Sequence, residues 1–338
     1  ALKIHSKIIV VNQVGCNDEL LFDGSSFIVN EKGELTNYLK TFEEDIKAIN
    51  INSYKIKETK DHKHKNNLKG IQLGLKDYLT KNNINKIIIG ISGGIDSALV
   101  CAISALTIDP NKITGLFMPS EYTSKESIED AKLLAKKCKI NLKTIRINKM
   151  IQSYNNILKE NYDSVKSIVR ENIQPRIRAS LLMAYSNQEN ALLLTTGNKS
   201  EIATGYCTLY GDTCGGLNLI GDLYKTEVFG LSSFINNEFN IIPERIIEKA
   251  PSAELKENQK DTDSLPEYEI LDEILRDYIE NNKSIDEISQ KFDRNLVLNT
   301  IKQINKNEHK RHQLCPAIRL TKKAFGSGRR IPITADYL

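Results

Sequence analysis

The densest chemical signal in the sequence is the string Ser92-Gly-Gly-Ile-Asp-Ser97. It follows an apolar run, Lys86-Ile-Ile-Ile-Gly-Ile91, and precedes a segment of helical spacing, 96–106. Glycines in such a turn let the backbone bend tightly and bring its N–H groups close to an anion. The N-terminus of the following helix adds a partial positive charge. Ser92 and Ser97 supply hydroxyl donors. A carboxylate alone repels phosphate, so Asp96 fits an anion site only if it holds a Mg²⁺ that bridges to the phosphates. The plainer alternative is a glycine-rich turn with a serine cap. The whole string at a strand–turn–helix position favours phosphate binding. It is not a Walker A loop, because the Gly-Lys-Ser/Thr ending is missing.

The elements around this string must hold it in place. Alternating apolar strands and amphipathic helices run through 68–79, 86–91, 96–106, 113–118, 124–137, 142–147, 175–186 and 191–195. This alternation predicts an α/β fold: a doubly wound parallel sheet with helices on both faces. Ligands of such sheets bind beyond the carboxyl ends of the strands. From about residue 225 the chain reads as mostly helical. Ahead of the sheet, Lys7-Ile-Ile-Val-Val11 and Ser26-Phe-Ile-Val-Asn30 read as strands. Two or three such strands are too few to hold a core of their own. The charged stretch Lys55 to Lys65 reads as a linker. Its His62 and His64 are two residues apart and would lie on different faces of a helix, which disfavours a shared metal.

The 338 residues allow two or three domains. With 40% hydrophobic and 27% charged residues, the composition is that of a globular protein and excludes wholesale disorder. No apolar run approaches the ~20 residues of a membrane helix, and no signal-peptide pattern opens the sequence. A formal charge of +4 is too small and too dispersed to suggest nucleic acid. Six cysteines without CxxC pairing suggest a reducing, cytoplasmic setting.

The string 92–97 resembles the pyrophosphate loop of the N-type ATP pyrophosphatases. Further strings narrow the resemblance: Asn172-Ile-Gln-Pro-Arg-Ile-Arg178, Thr195-Thr-Gly-Asn-Lys-Ser-Glu201, Thr204-Gly-Tyr206, Tyr210-Gly-Asp212, Asn307-Glu-His-Lys-Arg311 and Ala324-Phe-Gly-Ser-Gly-Arg-Arg330. Together, over roughly 65–330, they resemble the glutamine-dependent NAD synthetase family. The resemblance implies ATP-dependent amidation of deamido-NAD to NAD through an adenylylated carboxylate, with AMP and pyrophosphate released. Its cofactors would be ATP and Mg²⁺.

Carried over residue by residue, the resemblance puts the ATP phosphates on Ser92, Gly93, Gly94 and Ser97, with Gly90, Ile91 and Ile95 completing the ATP-contacting run. Asp96 and Glu201 would hold Mg²⁺. Thr196 would contact ATP, Lys225 would offset phosphate charge, and Ser252 stands where the family often has a threonine that contacts ATP. Asn172, Arg176, Glu201, Asp212, His309 and Lys310 would bind deamido-NAD. Asp96, Lys225 and Lys310 would carry the catalysis by charge stabilisation rather than by a covalent nucleophile. Plainer roles compete: Glu201 as a first-turn helix acid, Arg176, Arg178 and His309 as solvated helix residues, Lys225 as a surface lysine, Cys207 and Cys214 as packing residues.

The segment Val11-Asn-Gln-Val-Gly-Cys-Asn-Asp-Glu-Leu-Leu-Phe-Asp-Gly-Ser25 resembles the late part of the nitrilase-like glutaminase domain that precedes these synthetases. The expected division is therefore 1–50 glutaminase remnant, 51–66 linker and 67–338 synthetase domain. Cys16 stands where that family usually has glycine, which makes it a poor candidate nucleophile. The chain by itself is expected to use free ammonia, with glutamine-derived ammonia supplied by a missing glutaminase half. The family also implies a homodimer or higher homo-oligomer with the dinucleotide site near the subunit boundary. GMP synthetase, a tRNA-thiolating relative and a nucleotide-binding regulator with a dead site are the competing readings.

Overall fold

The structure is a computed structural model that describes residues 1–52, 62–257 and 259–334. Five short strands come first: β1 (Ile8–Val10), β2 (Val14–Asn17), β3 (Leu20–Asp23), β4 (Phe27–Val29) and β5 (Leu35–Tyr38). They form an antiparallel sheet of order β1-β4-β5 and a separate β2-β3 hairpin. The sequence suggested two or three strands; the additional ones are short and rich in half-exposed residues, which weakens their alternation. The hairpin finds its support on α1 (Lys63–Lys81). Cys16 N–H donates to Asp77 Oδ2 at 2.8 Å, and Lys81 Nζ donates to Asn17 Oδ1 at 3.2 Å. Leu21 packs where Gly70 leaves room for it.

Most of the expected linker, residues 53–61, lies outside the described residues. Helix α1 begins at Lys63, so the last part of the charged stretch is helical. His62 precedes α1, whereas His64 stacks on Phe234 at 6.2 Å between ring centroids.

The central sheet follows: β6 (Ile87–Ile91), α2 (Ile95–Thr107), β7 (Ile113–Phe117), α3 (Lys125–Cys138), β8 (Asn141–Thr144), α4 (Asn148–Asn161), α5 (Ser167–Glu189), β9 (Leu192–Thr195), α6 (Lys199–Thr204) and β10 (Leu217–Asn218). Its order is β10-β9-β6-β7-β8 with every pairing parallel. The chain runs outward from β6 through β7 to β8, then crosses back to β9 on the other side of β6. The order therefore reverses between β6 and β9, where a parallel sheet opens a ligand crevice.

The two faces of the sheet explain its strands. Ile87, Ile89 and Ile91 pack with α2, α3 and α7 (Lys225–Phe239), while Ile88, Leu116 and Leu193 pack with Ile151, Ile173 and Ile177 of α4 and α5. Strands buried on both faces carry no polar alternation.

Two elements depart from the spacing. The run 142–147 stops being strand at Thr144, although Ile145 N–H still donates to Phe117 O at 2.8 Å. Helix α5 starts at Ser167, eight residues before Pro175, where proline's usual place in a first turn had put the start. Tertiary packing holds Pro175 inside the helix: it is buried, with Gly211 close against it.

Beyond the sheet come α8 (Glu244–Glu248), α9 (Tyr268–Ile279), α10 (Ile285–Ile288), α11 (Arg294–Lys306) and α12 (Glu308–Arg311). Leu271, Leu275, Ile279 and Ile304 pack with Ala203 and Tyr224, so this helical layer braces α6 and the start of α7. Among the described residues, no helix is long and apolar enough to cross a membrane.

Candidate active site

A cavity of about 590 Å³ opens beyond the carboxyl ends of β6, β7 and β9. The loop after β6 forms one wall. Gly93 adopts φ +85°, and a Cβ there would stand 2.6 Å from the Ser127 carbonyl oxygen, so only glycine fits. Gly94 caps α2 in an extended conformation. Ser97, 2% exposed, is turned into the loop. Its Oγ accepts from Ser92 N–H at 3.2 Å and lies 3.0 Å from Ser92 Oγ. Ser92 Oγ accepts from Gly94 N–H at 3.1 Å. The two serines thus fix the shape of the loop, and the backbone amides and helix dipole remain its anion-facing features.

Asp96 projects from the first turn of α2. The loop after β9 brings Asn198 and Glu201 to the same point. Asn198 is fully buried and caps α6: its Oδ1 accepts from Glu201 N–H at 3.0 Å, while its Nδ2 donates to Asp96 Oδ1 at 2.9 Å. Lys225, the first residue of α7, donates from Nζ to Asp96 Oδ2 at 2.5 Å and to Glu201 Oε1 at 3.3 Å. Ser200 Oγ fixes the Lys225 backbone by accepting its N–H at 2.9 Å, and Asp272 accepts Thr226 N–H at 2.8 Å. Two strands and three helix starts therefore meet at one cation position.

Burial and the Asp96 charge push the Glu201 carboxyl up to about 8. Burial alone would lower Lys225, but the charges of Asp96 and Glu201 outweigh it and hold the ammonium well above its ordinary range. Asp261 adds a third carboxylate to the wall, its oxygens accepting from Tyr206 at 3.2 Å and Tyr268 at 2.9 Å. Burial raises it too. Asp96 and Glu201 suit Mg²⁺, which takes one or two protein carboxylates and completes its shell with water and substrate phosphates. They already flank a cation, the Lys225 ammonium. Among the described residues no acid, His or Cys cluster forms a closed metal cage.

The opposite wall comes from α5, the loop after α6, and α12. Asn172 Oδ1 accepts from Thr208 Oγ1 at 2.9 Å, and Asp212 Oδ1 accepts from Thr208 N–H at 2.7 Å. Asp212 is exposed to the cavity, yet desolvation by the surrounding wall pushes its carboxyl up to about 6. Lys310 donates to the carbonyls of Gly205 and Cys207 at 2.7 and 2.8 Å. Arg178 faces this cavity, its Nε donating to Met118 O at 3.1 Å; burial lowers its guanidinium to about 10. Cys207, Cys214 and Cys315 also line the wall, and burial raises each thiol, to about 12, 11 and 12. The raised thiols stay protonated at neutral pH, which disfavours them as nucleophiles.

The cavity brings together Gly90, Ile91, Ser92, Gly94, Ile95, Asp96, Ser97, Asn172, Thr196, Glu201, Asp212, Lys225, Ser252 and Lys310. Ser252 lies on the segment after α8, with its Oγ donating to Gln259 O at 2.6 Å. Three residues singled out in the sequence lie outside the lining. Gly93 turns toward α3 as described. Arg176 is exposed, with Nε donating to Leu209 O at 3.2 Å, and His309 is exposed, with its Nδ1 3.0 Å from Lys306 O. Sequence reading missed Asn198 and Asp261, and assigned Arg178 no place in the site, leaving a solvated helix charge as an open reading. Arg178 had a signal: 168, 171, 172, 175, 178, 179 and 182 share one face of α5, and all line the cavity.

Comparison with known proteins covers both halves of this geometry. The family profile described as NAD synthase matches residues 67–314. A glutamine-dependent NAD(+) synthetase of Synechocystis sp. is 43% identical over all of this chain and 62% of its own length. The solved glutamine-dependent NAD+ synthetase of Acinetobacter baumannii, in complex with ADP, is 37% identical with a TM-score of 0.69, over 98% of this chain and 62% of that one. An NMN synthetase from Francisella tularensis is 26% identical with a TM-score of 0.62, over 75% of this chain and 95% of that one. The chain thus spans a little under two thirds of the length of its glutamine-dependent relatives.

Proposed function

The chain belongs to the NAD synthase family, and from that premise we propose that it amidates deamido-NAD at the expense of ATP. The observation that carries the reading is the convergence of Asp96 and Glu201 on Lys225, beside the glycine loop at the switch point of the sheet. The Acinetobacter relative was solved in complex with ADP, which supports the use of an adenine nucleotide by this chain.

The backbone amides of the loop and the N-terminus of α2 receive the ATP phosphates. Thr196 and Ser252 flank the nucleotide. Asp96 and Glu201 would hold Mg²⁺, which would supply neutralisation of the phosphate charge. Lys225 leaves its two carboxylates for the charge that builds on the pyrophosphate leaving group. A carboxylate oxygen of deamido-NAD attacks the α-phosphorus, the α–β bridge breaks, and pyrophosphate departs. Ammonia then attacks the acyl carbon, loses a proton, and expels AMP to give NAD. No group on the protein forms a covalent bond. Asp212, exposed on the cavity wall with its carboxyl raised by the surrounding protein, would accept a proton beside the acceptor.

Asn172, Asp212 and Lys310 form the dinucleotide side. Arg176 and His309, which face outward, would reach deamido-NAD where it leaves the cavity toward a second copy of the chain in a homo-oligomer. Residues 1–50 are the end of a glutaminase domain joined by 51–66 to the synthetase, and in the longer relatives' arrangement glutamine supplies the ammonia. The setting is cytoplasmic.

Product analysis with Mg-ATP and deamido-NAD tests the reading. NAD, AMP and pyrophosphate in equal amounts from ammonium support it, and no product from glutamine supports the expected use of free ammonia by this chain. ADP and phosphate instead of AMP and pyrophosphate would overturn it. Nicotinate mononucleotide is the control acceptor, because a relative is an NMN synthetase.

A further inference from the structure

We propose that Glu254 is a positioning residue for the nucleotide: its carboxylate latches segment 249–256 to the N-terminus of α3, and through Ser127 to the phosphate loop. The proposal rests on the reading of the cavity as an ATP site.

Glu254 has φ +48°, a left-handed conformation that a non-glycine residue keeps only when its surroundings hold it. Four donors do so. Oε1 accepts from Ser124 Oγ at 2.9 Å, Ser127 Oγ at 2.8 Å and Lys249 Nζ at 2.9 Å; Oε2 accepts from Ser124 N–H at 3.4 Å. Ser124 caps α3, a helix of 14 residues, so the carboxylate also lies at the positive end of its dipole. Charge-assisted bonds of this kind are about twice as strong as neutral ones. The segment carries a second tie, Gln174 Nε2 to Leu255 O at 2.8 Å.

The latch connects two parts of the nucleotide wall that share no covalent neighbourhood. Ser127, which bonds Glu254, is the residue whose backbone abuts Gly93. Ser252, two residues before Glu254, accepts the Glu254 N–H on its Oγ at 3.2 Å. The same glutamate therefore sets the phosphate loop's buttress and the hydroxyl on the facing segment. None of its four bonds involves Asp96, Glu201 or Lys225, so it acts on placement and not on the reacting atoms.

The test compares the whole chain with Glu254→Gln, which keeps the shape and removes the charge, and with Lys249→Met. Calorimetry measures affinity for ATP, ADP and deamido-NAD. Trypsin cleavage after the exposed Lys256 reports release of the segment. The latch requires Glu254→Gln to weaken ATP and ADP by about 10-fold and to speed cleavage by a similar factor. Affinity for deamido-NAD should stay within about two-fold, and the double variant should be no worse than the worse single one. Unchanged nucleotide affinity and cleavage would overturn the proposal. So would a parallel loss of thermal stability and of affinity for both substrates, since that is the signature of a structural residue. If the unsubstituted chain bound neither ATP nor ADP, the functional reading would fail. Cleavage would then still decide the latch: faster in Glu254→Gln supports it, equal rates overturn it.

Discussion

The ammonium of Lys225 lies 2.5 Å from Asp96 Oδ2, although 129 residues separate the two in the chain. Asp96 comes from the first turn of α2 and Lys225 from the start of α7, and Glu201, in α6 after β9, shares the same ammonium. The three side chains are 19%, 3% and 18% exposed, so solvent screens them only partly. One buried cation between two carboxylates is a poor device for stability alone, because desolvation offsets much of the attraction. On the proposed reading, phosphates would take over the Lys225 ammonium and Mg²⁺ would take its place between the carboxylates.

Lys225→Met should reduce pyrophosphate release by about 10²–10³-fold, the size of losing one oriented charge donor in a transition state. Single-turnover release of pyrophosphate, followed beside the melting temperature, separates this from unfolding. Equal losses in both would mark Lys225 as structural.

Asp96→Ala should abolish adenylylation and leave the fold largely intact, since α2 is anchored by its buried apolar face. Circular dichroism and pyrophosphate release check the two halves. Unchanged release would remove Asp96 from the mechanism.

The raised carboxyls set a pH dependence. Glu201 binds its proton more tightly folded than unfolded, so stability falls as pH rises from its ordinary pKa of 4.5 toward about 8. Asp212 adds the same sign between 3.8 and about 6. Lys225, held high by its neighbours, stays charged throughout this window and adds no slope. The ligand-free chain should therefore lose stability between pH 5 and 8.5, and Glu201→Gln should lose less. Denaturation at the two pH values measures the difference. Mg²⁺ has the opposite preference, because it needs Glu201 ionised, so its affinity should rise through pH 8.

Gly93→Ala should cost about 2 kcal/mol or more, because φ +85° is strained for alanine and its Cβ meets the Ser127 backbone at 2.6 Å. Gly94→Ala should be milder, since φ is −93° and the nearest atom is Ser92 Oγ at 3.3 Å. Urea denaturation and ATP titration of both variants test the contrast.

Asn198→Ala should remove about 1 kcal/mol of helix capping and lower turnover about 10-fold through a misaligned Asp96. Turnover and KM for ATP, measured together, show whether the loss is in alignment or in binding.

Much of this site was legible. The glycine string sat between an apolar strand and a helix, and local chemistry alone fixes that turn. Glu201 stood three residues after Asn198 at a strand end, a spacing that local capping dictates. What sequence spacing did not reveal depends on direction. Arg176 and Arg178 are two residues apart, and only the packing of α5 through a buried Pro175 decides which one enters the cavity. Ser97 reads as a phosphate donor until its hydroxyl is seen turned into the loop. Asp261 and Glu254 act across the chain from the groups they meet, and no periodicity encodes such pairings.

The central claim is that the acceptor carboxylate is adenylylated at this site. It is tested most directly with deamido-NAD carrying ¹⁸O in its nicotinate carboxylate, Mg-ATP and ammonium. One ¹⁸O per turnover should appear in the phosphate of AMP, and the other should remain in the amide of NAD. Label in pyrophosphate, in inorganic phosphate, or in neither nucleotide product would contradict the account.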